Sequence, residues 1–135
     1  MVGYTNTYSL DENDFFLVKT DAYGNMEWNQ KYGASNDMGS CMVSATDGGY
    51  LLAGITSPDE MHASDLFLVK VDEYGSMEWN QTIGGPGIDM PSSMIRTRDN
   101  KYVIAGVKSI SDMDFDIWLI KIDEHGKALQ PESEP

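Results

Sequence analysis

The chain has 135 residues, which is enough for one domain with a hydrophobic core. Its formal net charge of −13 argues against a nucleic-acid-binding protein and against attachment to anionic membrane surfaces. It contains neither an apolar run that could insert into a bilayer nor a signal-peptide pattern, and its single cysteine, Cys41, cannot form an internal disulfide.

A sequence repeat begins near the start of the chain. Residues 14–19, with the sequence Asp-Phe-Phe-Leu-Val-Lys, return in altered form at 65–70 and again at 116–121, each time 51 residues further along. Two more residues follow the same period, namely Gly24 and Trp28, which recur as Gly75 and Trp79. A fixed period in this range indicates one supersecondary unit that is used several times.

A second repeated segment runs from 47 to 54, with the sequence Asp-Gly-Gly-Tyr-Leu-Leu-Ala-Gly. It recurs at 99–106 with a spacing of 52 residues, so one residue has been inserted between the copies. We place the insertion in 84–87, because a surface loop accepts an extra residue at little cost. Residues 1–5 match 52–56, so we expect the chain to open inside a unit that lacks its first strand.

Each unit is predicted to contain four short strands joined by turns. In the second unit we place strand A at 40–46, strand B at 50–56, strand C at 66–71 and strand D at 77–83. Glycine-containing turns separate A from B and C from D. Strand C is too continuously apolar to have one face in water, and no stretch shows a helical period. The predicted fold class is therefore all-β.

Four-stranded units with apolar strands predict blades that stack face to face, as in a β-propeller. We expect about two and three-quarter blades of antiparallel strands, which would form an incomplete ring. Residues 1–130 are predicted to be a single propeller-blade domain. It divides into a partial blade at 1–33 and blades at 34–84 and 85–130, and a polar tail follows at 131–135.

Two linked motifs carry a resemblance to a known family. The segments 47–54 (Asp-Gly-Gly-Tyr-x-x-Ala-Gly) and 65–79 (Asp-x-x-x-x-Lys-x-Asp-x-x-Gly-x-x-x-Trp) resemble the repeat of bacterial and archaeal surface-type β-propeller proteins. The second segment is also similar to the strand C to strand D corner of quinoprotein-like propellers, an architecture shared with WD40-like ones. The resemblance covers Met1 to Gln130. It implies a propeller and an extracellular or cell-surface location, but no activity, because fold alone does not give function.

Three blades cannot close a ring, because propellers have roughly four to eight. The chain would therefore expose two apolar blade faces and the unpaired strand edge at 1–5. In the third unit Gln130 replaces the repeated tryptophan, as expected of a terminal strand. Two alternatives remain open: two copies close a six-bladed ring as a homodimer, or the chain is a fragment of a longer propeller. We favour association between copies.

No catalytic or cofactor-binding residue is predicted. Cys41 lies in strand A, whereas His62 falls in a B–C loop and His125 in a C–D turn at the other end of the unit, so no nucleophile–base pair is expected. The three residues are also too few and too scattered for a zinc site.

A lysine and an aspartate recur two residues apart at the end of each strand C. Alternation along a strand places both side chains on the same side, which predicts one structural ion pair per unit near the corner between C and D. The predicted pairs are Lys19–Asp21, Lys70–Asp72 and Lys121–Asp123. A group that is repeated in every unit is rarely a catalytic site. The recurring Trp28 and Trp79 are predicted to pack between units.

Carboxylates are unevenly distributed between the two ends of the predicted units. The B–C and D–A loops share one end, which we call the loop end, and the A–B and C–D turns share the other, which we call the turn end. The carboxylates in or beside the loop end are Asp11, Glu12, Asp14, Asp37, Asp59, Glu60, Asp65, Asp89, Asp112, Asp114 and Asp116. Arginine and lysine residues accompany those at the turn end, so the loop end is predicted to be the more negative.

Asp112, Asp114 and Asp116 alternate in the third B–C loop, as carboxylates do at the start of some calcium-binding loops. They are the candidate metal ligands, and calcium is the cation that the pattern suits. The segment lacks the glycine and the distal glutamate of an EF-hand. The alternative is therefore a solvated acidic rim with no cofactor.

The sequence favours a non-enzymatic β-propeller module for protein or ligand interaction, which assembles through its blade faces and presents an acidic loop end. A basic protein surface, a glycan or a cell-envelope component would each suit that end as a partner. One alternative is an enzyme of hydrolase or lyase type with its site at the ring centre. Another is a structural spacer within a larger cell-surface protein.

Overall fold

The computed structural model describes residues 2–6, 13–33, 36–57, 64–84, 88–111 and 113–129. These residues form ten β-strands and no helix, which confirms the predicted all-β class. The strands are β1 (Val2–Asn6), β2 (Asn13–Thr20), β3 (Met26–Tyr32), β4 (Asn36–Ser44), β5 (Tyr50–Ser57), β6 (Asp65–Val71), β7 (Met77–Ile83), β8 (Ile88–Arg96), β9 (Tyr102–Ser111) and β10 (Asp114–Ile122). Within the described ranges, no helix is long and apolar enough to cross a membrane.

The strands form three antiparallel sheets, each of which follows chain order. The first sheet contains β1, β2 and β3, the second contains β4 to β7, and the third contains β8, β9 and β10. Hydrogen-bonded neighbours are consecutive in sequence, so turns and loops are enough to connect them. The third sheet continues beyond β10, because Ile122 bridges Ala128 and the Leu129 N–H donates to the Lys121 carbonyl at 2.7 Å.

The two central strands of the second sheet, β5 and β6, are buried on both faces. In β6 every residue from Leu66 to Val71 is buried. Leucine, aromatic and β-branched side chains leave this strand no polar face, so it is stable only where both sides are covered. In β5 the residues from Leu51 to Gly54 are also buried. The second sheet therefore lies between the other two.

Two hydrophobic clusters join the three sheets. In the first cluster, side chains of the first sheet pack against one face of the second sheet; they are Phe15, Leu17 and Tyr32 against Leu52, Phe67, Val69 and Val71. In the second cluster, the opposite face of the second sheet packs against the third; the residues are Leu51, Ala53, Leu66 and Leu68 against Met94, Tyr102, Ile104 and Ile122. Alternate residues of β5 and β6 thus pack against the first and the third sheet, because successive side chains of a strand point to opposite faces.

The first strand of each sheet lies on the same side of the molecule. β4 contacts both β1 of the first sheet and β8 of the third, and β8 in turn contacts β5 and β6. The Ser40 hydroxyl of β4 donates to the Pro91 carbonyl of β8 at 2.8 Å, which ties these two strands directly. The three sheets are therefore stacked with β1, β4 and β8 at a common edge.

The predicted strand bounds hold for B, C and D of the second unit, which correspond to β5, β6 and β7 within one residue. Strand A was predicted at 40–46, but β4 begins four residues earlier, at Asn36, and ends at Ser44. Its first four residues, Asn36 to Gly39, contain only one apolar side chain, that of Met38, and a register shift between Gly39 and Cys41 interrupts the alternation that marks a strand. Cys41 consequently lies in the middle of β4 and not at its start.

Candidate functional site

A group of charged and polar side chains is centred on Lys70, at the turn end of β6. Its Nζ donates to Asp47 Oδ2 at 2.8 Å, to Glu78 Oε2 at 2.7 Å and to the Val71 carbonyl at 3.0 Å. An ammonium group has three donors, and all three are used here. The side chain is only 5% exposed, although both carboxylates reach solvent.

The protonation of this group follows from its surroundings. Burial lowers the pKa of Lys70, but hydrogen bonds to Asp47 and Glu78 outweigh the burial and raise the pKa above its ordinary value of 10.5. The hydrogen bond from Lys70 and the Gly49 N–H lower the pKa of Asp47. Lys70 is therefore charged at neutral pH and is a structural cation, not a proton acceptor.

The predicted ion pairs between each strand C lysine and the aspartate two residues later are wrong. Lys70 pairs with Asp47 and Glu78, and the other two pairs are Lys19–Glu27 at 3.2 Å and Lys121–Asp99 at 3.7 Å. The aspartates cap the C–D turns instead, since each carboxylate accepts backbone N–H groups; these residues are Asp21, Asp72 and Asp123. An aspartate followed by glycine three residues later is a turn signature that indicates this role.

Trp28 and Trp79 reach from one sheet to a turn of the next. A methyl group added at Gly75 would lie 2.8 Å from Trp28 Cζ3, and one at Gly126 would lie 2.6 Å from Trp79 Cζ3. Each indole thus covers a glycine of the following C–D turn, at equivalent positions of the repeat. Gly24 is the third such position, and a methyl group there would meet no atom within 4 Å. Among the described residues, the turn glycine of the first sheet therefore has no indole over it, whereas those of the other two sheets are each covered by a tryptophan.

The carboxylates of the loop end fall into two groups. Asp37 and Asp89 were predicted in D–A loops, but they lie near the starts of β4 and β8 and are buried. Asp14 and Asp65 are half-buried near the starts of β2 and β6, whereas Asp114 and Asp116 are exposed near the start of β10, so these four retain access to solvent. Five predicted members lie outside the described residues: Asp11, Glu12, Asp59, Glu60 and Asp112.

Ion pairs at the turn end involve the lysine of each strand C and His125. The five pairs among the described residues are Lys19–Glu27, Lys70–Asp47, Lys70–Glu78, Lys121–Asp99 and His125–Glu124. Asp14, Asp65, Asp114 and Asp116 take part in none of these five pairs. Lys108 lies in register between Asp89 and Asp116 and is a basic residue at the loop end. Within the described ranges, Asp14, Asp65, Asp114 and Asp116 at the loop end thus lack the ion-pair partners that Glu27, Asp47, Glu78 and Asp99 have at the turn end.

The candidate calcium ligands are only partly placed. Asp114 and Asp116 lie on β10, next to a register shift between Asp114 and Phe115, and both are exposed. Asp112 lies outside the described residues. Across the ranges that the structure describes, no cluster of three or more histidine, cysteine, aspartate or glutamate side chains has the arrangement of a metal site. The calcium site stays a prediction.

Small cavities lie between adjacent sheets. One of about 230 Å³, between the second and third sheets, is lined by Leu66, Ile83, Asp89, Lys108, Trp118 and Ile120. Another, between β4 and β8, measures about 170 Å³, and its lining side chains are Met38, Ser40, Ile55, Met90 and Pro91. The second cavity has no titratable side chain in its lining, and its one hydroxyl, that of Ser40, already donates to a carbonyl.

The residues that could have formed a nucleophile–base pair are not activated. Cys41 is half-buried against the second hydrophobic cluster, and burial raises the pKa of its thiol, so the thiol is protonated at neutral pH. His125 is exposed in the third C–D turn, where its Nε2 lies 3.5 Å from Glu124 Oε1. His62 lies outside the described residues.

Comparison with known proteins adds no relative from which a role could be transferred. No protein-family model matches the chain, and no curated protein matches it.

Proposed function

We propose that the chain is a β-propeller module that binds a partner at its loop end and has no catalytic role. The observation that carries the proposal is the repeated sheet-to-sheet contact. The first and second sheets pack through the same repeat positions as the second and third, and β1, β4 and β8 share one edge. Sheets that stack in this way, with their first strands together, are what blades around an axis require.

The loop end is the surface that we assign to recognition. Loops at one end of a repeat scaffold vary without disturbing the stacked sheets, and binding residues are often found there. Asp14, Asp65, Asp114 and Asp116 bring negative charge to this end without the lysine partners that the turn end has. Such a surface favours a cationic segment of another protein and accelerates its approach at low salt.

An interaction module is favoured over an enzyme by the side chains between β4 and β8. In the propeller arrangement these two strands would face the axis, where a catalytic site would lie. The cavity between them is lined by methionine, isoleucine, proline and a hydrogen-bonded serine. Catalysis of hydrolysis or elimination needs a positioned acid or base, and these side chains supply neither.

A lysine-rich peptide is the probe for this proposal. We expect binding that is measurable by calorimetry at low salt and that weakens as salt is added, since the attraction is electrostatic. The double variant Asp114→Asn/Asp116→Asn should weaken binding by about 2- to 30-fold, on the basis of about 0.2–1 kcal/mol per exposed pair. The matched control is Glu73→Gln/Glu124→Gln, which removes the same charge from exposed residues of the turn end.

The two variants separate a specific surface from a general charge effect. An equal loss of affinity in both would contradict recognition at the loop end, as would the absence of peptide binding by the unmodified chain. A loss confined to Asp114→Asn/Asp116→Asn supports the proposal. Circular dichroism of each variant checks that the β-structure is retained.

A further inference from the structure

We infer that the third sheet of one molecule docks head-to-tail on the first sheet of a second copy of this chain, and that the two outer sheet faces form the interface. The inference rests on the proposed function in treating the stacked sheets as blades. We call the outer face of the third sheet, with Ile95, Ile117 and Leu119, the third-sheet flank. We call the outer face of the first sheet, with Phe16, Thr20 and Gly24, the first-sheet flank.

The third-sheet flank is apolar and open. Ile117 is 87% exposed and Leu119 is 71% exposed, and Ile95 on β8 is exposed as well. The equivalent residues of the second unit show that this face of the repeat is covered where another sheet follows. Ile117 and Leu119 are equivalent to Leu66 and Leu68, which are 1% and 0% exposed because the third sheet covers them. The third-sheet flank thus repeats a covered face but has no sheet on it.

The first-sheet flank is the complementary side of the repeat. Phe16 is half-buried and Thr20 is exposed, whereas their equivalents in the second sheet, Phe67 and Val71, are buried against the first sheet. Ile122 holds the same position as Thr20 in the third sheet and is buried against the second. At both internal interfaces, this face of a sheet packs against the opposite face of the preceding sheet.

The occupant of the third-sheet flank follows from this order. Within one molecule, the face that contains Leu17 or Leu68 is always covered by the opposite face of the next unit, which contains Val71 or Ile122. The third-sheet flank is equivalent to the face that contains Leu68, and the first-sheet flank is equivalent to the face that contains Val71. A second copy therefore offers the surface that the internal interfaces already pair with this one. Each such contact joins two different patches, and two copies that form it twice make a closed pair.

Gly24 sets the expected strength of the docking. At the internal interfaces an indole covers Gly75 and Gly126, but no residue of the described ranges lies within 4 Å of a methyl group placed at Gly24. In the sequence, the third unit has Gln130 where the first two have Trp28 and Trp79. A head-to-tail contact would therefore lack the tryptophan–glycine stack. We expect it to be weaker than the internal contacts and to depend on protein concentration.

The experiment is the solution mass of the full chain, measured by light scattering and sedimentation over a range of concentrations. The unmodified chain should show a mass above that of one molecule as concentration rises. Leu119→Asp on the third-sheet flank and Thr20→Asp on the first-sheet flank should each raise the dissociation constant by about tenfold or more. Both substitute exposed side chains, so the fold should persist, which circular dichroism checks.

Mixing the two variants tests the head-to-tail order. In a closed pair of Leu119→Asp with Thr20→Asp, one contact carries both substitutions and the other carries none. The mixture should therefore associate more strongly than either variant alone. The matched control is Met77→Asp, an equal change at an exposed residue of β7 away from both flanks, and it should leave the mass unchanged.

A monomer at all concentrations would overturn the inference, because it would leave both flanks uncovered by a second copy. So would association that Thr20→Asp does not disturb, since that outcome means a contact of third-sheet flank with third-sheet flank. Leu119→Asp should still bind the lysine-rich peptide, so failure of the docking is distinguishable from failure of the proposed function.

Discussion

Lys70 joins three parts of the second sheet. Its ammonium group contacts the turn before β5 through Asp47, the end of β6 through the Val71 carbonyl, and the start of β7 through Glu78. A buried charge is stable only where its hydrogen bonds are satisfied, and here all of them are made by the same sheet. The group therefore fixes the turn end of the second sheet.

Replacement of Lys70 by methionine should destabilise the chain by about 1–3 kcal/mol, because a buried cation with charged hydrogen-bond partners is lost and two carboxylates are left together. Urea unfolding at neutral pH measures the change. Lys19→Met is the matched control at the equivalent position of the first sheet, where the lysine has one carboxylate partner and is partly exposed. We expect its effect to be clearly smaller, and equal effects would contradict the structural role of Lys70.

The contribution of Lys70 should depend on pH with a definite sign. Because the folded-state pKa of Lys70 is raised, its stabilisation is fully present below the unfolded value of 10.5 and is lost as pH rises through the folded-state value. The difference in unfolding free energy between the unmodified chain and Lys70→Met should therefore be constant from pH 7 to about 9. It should shrink at still higher pH. A difference that grows with alkaline pH would be inconsistent with this account.

The sequence predicts that the lysine of each strand C is paired, but not with which residue. Strand alternation places Lys70 and Asp72 on one side, yet Asp72 binds the N–H groups of Tyr74 and Ser76 in its own turn. The backbone N–H groups of the turn compete with the lysine for the Asp72 carboxylate at short range. The Asp-x-x-Gly spacing indicates this competition. The true partner Asp47 is distant in sequence, so only strand pairing brings it to Lys70.

At the scale of elements, the contact between a tryptophan and a glycine links one sheet to the next. Gly126 has a φ of 82° and Gly24 a φ of 86°, so alanine is strained equally at both positions. Only Gly126 lies under an indole, that of Trp79. The two positions therefore separate backbone strain from packing between sheets.

Gly126→Ala should destabilise the chain more than Gly24→Ala. Strain in the left-handed region costs about 1–2 kcal/mol at either position. The methyl group at Gly126 adds a clash with Trp79 that costs about 1–3 kcal/mol more. Chemical denaturation of both variants gives the comparison. Equal destabilisation would show that the indole does not hold the turn.

Calcium addition tests the candidate ligands on β10. Asp114 and Asp116 lie at the start of β10, and among the described residues no third histidine, cysteine or carboxylate side chain completes a metal site with them. We therefore expect the melting temperature to stay constant as calcium is raised to millimolar levels. A rise that disappears in Asp114→Asn/Asp116→Asn would instead establish the site.

Element type was predictable where the pattern was regular. The alternating or continuously apolar runs of β5, β6 and β7 predict their bounds within one residue. The start of β4 was not predictable, because Asn36 to Gly39 has a single apolar side chain and no regular alternation, and its strand conformation comes from pairing with β5. The burial of Asp37 likewise depends on neighbouring sheets and has no local signal.

For the whole molecule, association should couple to thermal stability. A second copy that binds only the folded chain raises the melting temperature as protein concentration increases. The unmodified chain should show this dependence in differential scanning fluorimetry or calorimetry. In Leu119→Asp the melting temperature should be independent of concentration over the same range. Identical behaviour of the two proteins would contradict docking at the third-sheet flank.

The repeat period predicts the stacked organisation, because equivalent apolar strands must cover one another. The position of Ile117 and Leu119 in the repeat identifies the side of the third sheet that lacks a neighbour. The partner at the loop end could not be predicted in the same way. The recognition that we propose would depend on side chains of the loop end such as Asp114, and their arrangement follows from no period.

The position of the paired lysines at one end, opposite Asp14, Asp65, Asp114 and Asp116 at the other, gives the molecule a permanent electric moment directed along its strands. A cationic support would consequently capture the protein in a single orientation, with its compensated end pointing outward. Anion-exchange immobilisation should leave the partly exposed Lys19 and Lys121 of that end open to chemical labelling and shield Asp114 and its neighbours.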